Sequence, residues 1–285
     1  MQYIIGMVML SMALFFGACG EQKSGDSRQQ DPIVESSAQD SKDSQTSLVV
    51  GATPVPASEI LEFAKPLLAK QGVDMRIQVF TDYVMPDVAL DDRSNDANLY
   101  QHKPYMEAQN AQRGFKLVSL APVYVVPLGF YSKKYASIEE IPNDADIALP
   151  SDSSNLARSL ILLHDFGVIK LKDPNNLAAT IESDIIENPK NLRFKPIEAA
   201  ALPRALPTLD GAVINANYAL QAGMSIKEAF FHENEKSEYV NVLVAREDNK
   251  DDERIAKLKE VLLSKEEADF ILEKYKGEII PVSSK

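Results

Sequence analysis

From Leu48 onward, short apolar runs rich in β-branched and aromatic residues alternate with segments whose apolar residues recur every three or four positions. Strands are expected at Leu48–Ala52, Arg76–Phe80 and Ala97–Tyr100, with helices over Ile60–Leu68, 84–91 and Pro104–Gln112. Pro66 should kink or shorten the first of these helices. Lys116–Tyr131 carries too many β-branched and aromatic residues for a helix and reads as one long extended stretch. A second series has strands at Ile147–Leu149, Leu192–Phe194 and Ala212–Asn215, and helices over Asn155–His164, Ile197–Ala205 and Tyr218–Gln221. Tyr239–Val244 is a late strand. Two helices end the chain, the second opened by the capping-box sequence Ser264-Lys265-Glu266-Glu267. Two such series, joined by one long extended segment and one returning strand, imply a bilobed α/β protein. Ligands of such folds sit in the crevice outside the strand carboxyl ends, between the lobes.

Composition narrows what that crevice can hold. The chain of 285 residues has 30 Lys and Arg against 42 Asp and Glu, a formal charge of −12. That excess repels phosphate backbones, so no nucleic-acid partner is expected. A single cysteine, Cys19, precludes an intramolecular disulfide and any multi-cysteine metal site. No G-x-S-x-G elbow, Walker A loop, H-E-x-x-H or EF-hand loop is present. His102, His164 and His232 stand in unrelated contexts whose spacing supports no metal site, so neither metal nor cofactor is expected. No nucleophile and base are nominated together. A binding protein fits better than an enzyme.

The N-terminus reads as an address. Residues 4–16 form an uncharged apolar run, too short to span a membrane, followed by Gly17, Ala18 and Cys19. Phe16-Gly17-Ala18-Cys19 resembles a bacterial lipobox, in which the cysteine thiol is acylated; two or more acyl chains suffice for stable anchoring. Residues 1–19 are thus expected to be a signal peptide with its lipidation site. Residues 20–46, rich in serine and glutamine and nearly free of large apolar residues, cannot offset the entropy of ordering and read as a tether.

The residues just after the predicted strands are distinctive. One lobe offers Tyr83, Tyr100, His102 and Tyr105. The other offers Asn155 and Arg158 at the start of a helix, and Asn215 and Asn217 after a strand. Leu156, Leu160 and Leu163 would face the core, while Asn155 and Arg158, three apart, share a different face. Aromatic groups opposite a guanidinium and carboxamides suit an amino acid: an apolar side chain against the rings, and a charged head group held by Arg and Asn.

Several strings, in order, resemble the NLPA family of lipoproteins: Val50-Gly51-Ala52-Thr53-Pro54-Val55-Pro56, Phe80-Thr81-Asp82-Tyr83, Gln101-His102-Lys103-Pro104-Tyr105, Ile214-Asn215-Ala216-Asn217-Tyr218 and Tyr239-Val240-Asn241-Val242. The resemblance runs from about Val49 to Pro281. It implies a type II periplasmic-binding-protein fold, with lobe one over 48–130 plus 241–285 and lobe two over 131–240. Val123–Tyr131 and Tyr239–Arg246 would be the two crossing strands. It also implies a lipoprotein of the bacterial cell envelope, anchored through Cys19 and facing the extracytoplasmic side. Such a protein binds methionine for an ABC importer, with permease and ATPase subunits as partners. Carried over, the family's aromatics fall on Phe80, Tyr83 and Tyr105, its histidine on His102, its arginine on Arg158 and its asparagines on Asn215 and Asn217. Arg158 would give the ligand carboxylate a bidentate pair, and Glu233 is a further candidate acceptor for the ammonium. Leu99 replaces a usual aromatic, a change expected to bear on the side-chain pocket. Another small amino acid, a methionine-containing dipeptide or a metal ion are the alternative ligands.

Overall fold

The computed structural model describes residues 47–234 and 237–282, so the expected signal peptide, lipidation site and tether lie outside the described residues. Strand β1 (Ser47–Ala52) runs through a turn with a cis Val55–Pro56 bond into helix α1 (Glu59–Lys70). Strand β2 (Asp74–Val79), helix α2 (Met85–Asp91), strand β3 (Ala97–His102) and helix α3 (Lys103–Arg113) repeat the unit. Strands β4 (Leu117–Val125) and β5 (Leu128–Tyr131) follow. A second series comprises β6 (Asp146–Pro150), α4 (Ser153–Asp165), the short pair β7 (Lys170–Leu171) and β8 (Ile185–Glu187), β9 (Arg193–Ile197), β10 (Gly211–Asn215), α5 (Ala216–Gln221) and β11 (Phe231–His232). The chain ends with β12 (Val240–Arg246), α6 (Glu253–Leu262), α7 (Lys265–Tyr275) and β13 (Ile280–Pro281).

Two sheets result. The first has the order β13-β4-β12-β3-β1-β2, parallel across β2, β1 and β3 and antiparallel beyond. The second has the order β11-β5-β10-β6-β9, with β10, β6 and β9 parallel. The long extended segment divides at Val126 and Pro127, because β4 pairs in the first sheet and β5 in the second. The chain returns between β11 and β12. Two mixed α/β lobes joined by two crossings constitute the type II periplasmic-binding fold. Their apolar interiors are not sealed from each other: the cluster containing Leu48, Ile60 and Leu99 continues through Tyr124 and Tyr131 into Ile214 and Tyr218. A separate cluster around Phe130, Ile147 and Leu163 fills the second lobe.

Three local expectations change. Pro66 does not shorten α1, which continues to Lys70. Pro66 and Glu62 are both exposed, so the carbonyl that loses its helical donor faces water rather than the core. Ile197 ends strand β9 instead of opening a helix; β9 is an edge strand, where Pro196 is tolerated. The capping box of α7 is half formed. Ser264 Oγ accepts from the Glu267 N–H at 3.2 Å, but Ser264 N–H donates to the Val261 carbonyl and the Glu267 carboxylate turns into the core.

Candidate functional site

The carboxyl ends of β3 and β10 and the amino end of α4 converge on one cavity. From the first lobe, Tyr83 reaches it from the turn after β2, Tyr100 and His102 from the end of β3, and Tyr105 from the first turn of α3. Asn155 and Arg158 reach it from α4, and Asn215 and Asn217 from the β10–α5 junction. Eight of the ten expected residues therefore line one space. Phe80 and Glu233 do not. Phe80 continues the β1–β2 pairing through its N–H to the Ala52 carbonyl at 2.9 Å, and its ring lies against Gly51. Leu99 is wholly buried in the first lobe and is not among the residues that line the cavity.

Three lining residues escaped the sequence reading: Gln101, Val126 and Asn241. Gln101 was legible as the neighbour of His102 in its motif. Asn241 owes its place to an irregularity in β12, where the register against β3 shifts between Asn241 and Leu243. Its amide then donates to the Tyr100 carbonyl at 3.0 Å.

At the aromatic end every tyrosine hydroxyl is engaged within the protein. Tyr100 and Tyr105 both donate to the Tyr83 carbonyl, at 2.7 and 2.9 Å. The Tyr83 hydroxyl donates across the cleft to Asn217 Oδ1 at 2.7 Å. Burial holds all three phenols neutral, far above the usual tyrosine range.

The polar end is ordered by a chain of hydrogen bonds. His102 caps α3, its Nδ1 accepting from the Tyr105 N–H at 3.2 Å. Nε2 therefore carries the proton and donates to Asn155 Oδ1 at 3.2 Å. Burial first, and the Arg158 charge second, push the His102 pKa down to about 3, so the ring is neutral. Asn155 Oδ1 also accepts from Asn215 Nδ2 at 3.0 Å, while its own Nδ2 donates to Asp152, the N-cap of α4. Among the described residues these bonds leave Asn215 Oδ1, Asn217 Nδ2 and, from the neighbouring Gln101, Oε1 buried without a partner, two acceptors and one donor.

Arg158 is the largest fully buried side chain and lies 4.5 Å from the Tyr239 ring centroid. Its Nε donates to Glu233 Oε1 at 2.8 Å, and its Nη2 to Glu233 Oε2 and to the Val126 carbonyl at 2.8 Å. Nη1 has no hydrogen-bond partner among the described residues. Thus the fork expected for a ligand is turned to Glu233. Among the described residues no group of three His, Cys, Asp or Glu could hold a metal ion.

Fold and cleft define a two-lobed binding protein of the periplasmic-binding class. The model of the NlpA lipoprotein family matches residues 48–283, and the chain belongs to that family. It is 37% identical over 279 residues to the probable D-methionine-binding lipoprotein MetQ of Pasteurella multocida, covering 97% of each chain. It is 42% identical to the D-methionine-binding lipoprotein MetQ of Escherichia coli K12, over 80% of this chain and 85% of that one. Among solved structures, a nutrient-binding protein of Burkholderia cenocepacia bound to methionine superposes with a TM-score of 0.79 at 39% identity, covering 82% of this chain and 99% of that one.

Proposed function

We propose that this protein is an extracytoplasmic, envelope-associated lipoprotein that captures methionine, in its L or D form, between its lobes and delivers it to the permease and ATPase subunits of an ABC importer. In this reading lobe one comprises 48–130 plus 241–285 and lobe two 131–240, and acylated Cys19 holds the protein at the membrane. Its role is binding and delivery, not catalysis. The observation that carries the reading is the set of polar groups left over when every internal bond of the cleft is made. Asn215 Oδ1 is an acceptor suited to an α-ammonium; Asn217 Nδ2 and Arg158 Nη1 are donors suited to an α-carboxylate. Tyr83, Tyr100 and Tyr105 line the same cavity, and aromatic rings favour a polarizable thioether.

Native mass spectrometry of the purified protein, followed by calorimetry of stripped protein, tests this reading. The expected results are a retained mass equal to free methionine and tighter binding of methionine than of leucine or a methionine-containing dipeptide. A bound metal ion, or a dipeptide binding more tightly than methionine, overturns the reading.

A further inference from the structure

We infer that Glu233 is a positioning residue that sets the charge selectivity of the cleft: it holds Arg158 in place and compensates its charge, so that a zwitterion is preferred to a simple carboxylate anion. This inference rests on the amino-acid reading above.

Glu233 stands just after β11, where the chain starts back toward the first lobe, and Leu128 stands just after the outgoing crossing at Val126 and Pro127. Glu233 bonds both polar groups of Leu128. Its N–H donates to the Leu128 carbonyl at 3.0 Å, and its Oε2 accepts from the Leu128 N–H at 3.1 Å. The same carboxylate takes Nε and Nη2 of Arg158. Both oxygens are thereby engaged, and the side chain does not line the cavity. It is therefore badly placed to accept from a ligand ammonium and well placed to orient the guanidinium. With Nη2 also on the Val126 carbonyl, Arg158 is tied to both crossings while it lines the cavity, and Nη1 is the nitrogen left without a hydrogen-bond partner among the described residues.

The charge consequence follows from burial. Side-chain exposure is 1% for Arg158 and 13% for Glu233. A guanidinium so buried is tolerated because a carboxylate compensates it. The pair sums to zero, His102 beside it is neutral, and Asp152, bonded to the Asn155 amide, brings no positive charge to the site. A methionine zwitterion adds no net charge to this space, whereas a carboxylate lacking the ammonium adds an uncompensated negative charge. Neutralising Glu233 would leave Arg158 as an unpaired buried cation and invert that preference.

The test compares L-methionine with 4-(methylsulfanyl)butanoate, the same molecule without its ammonium, by calorimetry on stripped wild-type, Glu233→Gln and Glu233→Asp proteins. Melting temperatures of the unliganded variants are measured alongside. In Glu233→Gln, methionine affinity should fall about tenfold or more, while the anion loses less or gains, so the wild-type discrimination narrows. Glu233→Asp retains the charge and should keep the discrimination even where affinity falls. Tighter methionine binding in Glu233→Gln would mean that Glu233 merely competes for the guanidinium. Equal loss for both ligands would mean a purely structural role, and a folded aspartate variant without discrimination would exclude the charge as its cause. Each of these results overturns the assignment.

A ligand-free readout separates this inference from the functional reading beneath it. The Arg158 Nε–H resonance, identified by its absence in Arg158→Lys, should exchange slowly in the wild type and rapidly in Glu233→Gln. Unchanged exchange overturns the positioning role. Loss of protection in a protein that ignores methionine would instead overturn only the ligand assignment.

Discussion

Arg158 joins two demands that a shorter cation cannot meet together. Its Nε–Nη2 edge must face Glu233 while Nη1 stays unengaged among the described residues in a side chain that lines the cavity. Lysine offers one compact ammonium without that planar geometry. Arg158→Ala should therefore cost on the order of 2–5 kcal/mol of methionine affinity, roughly thirtyfold to several-thousandfold in Kd, and Arg158→Lys should recover only part of it. The alanine variant also strands Glu233, so its unliganded melting temperature should fall. Calorimetry on folded, stripped variants checks this, and near-wild-type affinity in Arg158→Ala would remove the residue from the site. His102 offers the opposite lesson. A histidine in a cleft suggests titration near neutrality, yet burial and the adjacent guanidinium hold it neutral as a cap and a donor.

At the scale of elements, helix α4 links fold stability to the site through its first turn. Asp152 Oδ1 accepts from the Asn155 N–H at 2.8 Å, satisfying an orphan donor of the helix, and both carboxylate oxygens accept from the Asn155 amide. That contact fixes which way Asn155 faces, and thus directs its Oδ1 at His102 and Asn215. Asp152→Ala should lower unliganded stability by about 1 kcal/mol and weaken methionine binding by about tenfold, since the network rather than the cap alone is lost. Denaturant melts and calorimetry separate the two effects. A normal affinity in the alanine variant would show that Asn155 is oriented without Asp152. Helix α7 shows an N-cap solved differently. Ser264 caps, but the carboxylate that should complete the box is spent on the interior.

At the scale of the whole molecule, that interior carboxylate dictates a pH response. Burial, with the neighbouring Glu266 charge second, raises the Glu267 pKa from 4.5 to about 8. The native state then holds a proton that the unfolded chain releases near 4.5, so this contribution to stability is complete below about 4.5 and lost as pH rises through 8. His102 opposes it only below about 6.5, where the unfolded ring takes up a proton and the native ring does not. Asp87, raised to about 6 by burial, is ionised in both states above that value. Between pH 6.5 and 8 the Glu267 effect therefore stands against neither. Stability should fall across this interval by on the order of 2 kcal/mol, a drop of several degrees in Tm. Glu267→Met, which removes the buried unpartnered carboxylate, should flatten the slope and raise Tm at pH 8. A wild-type Tm constant between pH 6.5 and 8 would show that Glu267 is not held neutral.

The alternation of 2-residue and 3.6-residue periods determined the order of strands and helices, because those periods are local properties of the backbone. The strand-to-helix junctions, read from the same pattern, located most of the cleft: Tyr83, Tyr100, His102, Tyr105, Asn155, Arg158, Asn215 and Asn217 stand at such junctions and converge in space. Partners distant along the chain were decided only by tertiary structure. The Lys116–Tyr131 stretch looks continuous by period, yet pairing assigns its halves to different sheets. Glu233 binds Arg158 across 75 residues, Phe80 covers Gly51 instead of the ligand space, and a shifted register brings Asn241 to the Tyr100 carbonyl. Periodicity specifies which face a side chain occupies, but not which distant group will meet it; that choice belongs to the packing of the assembled lobes.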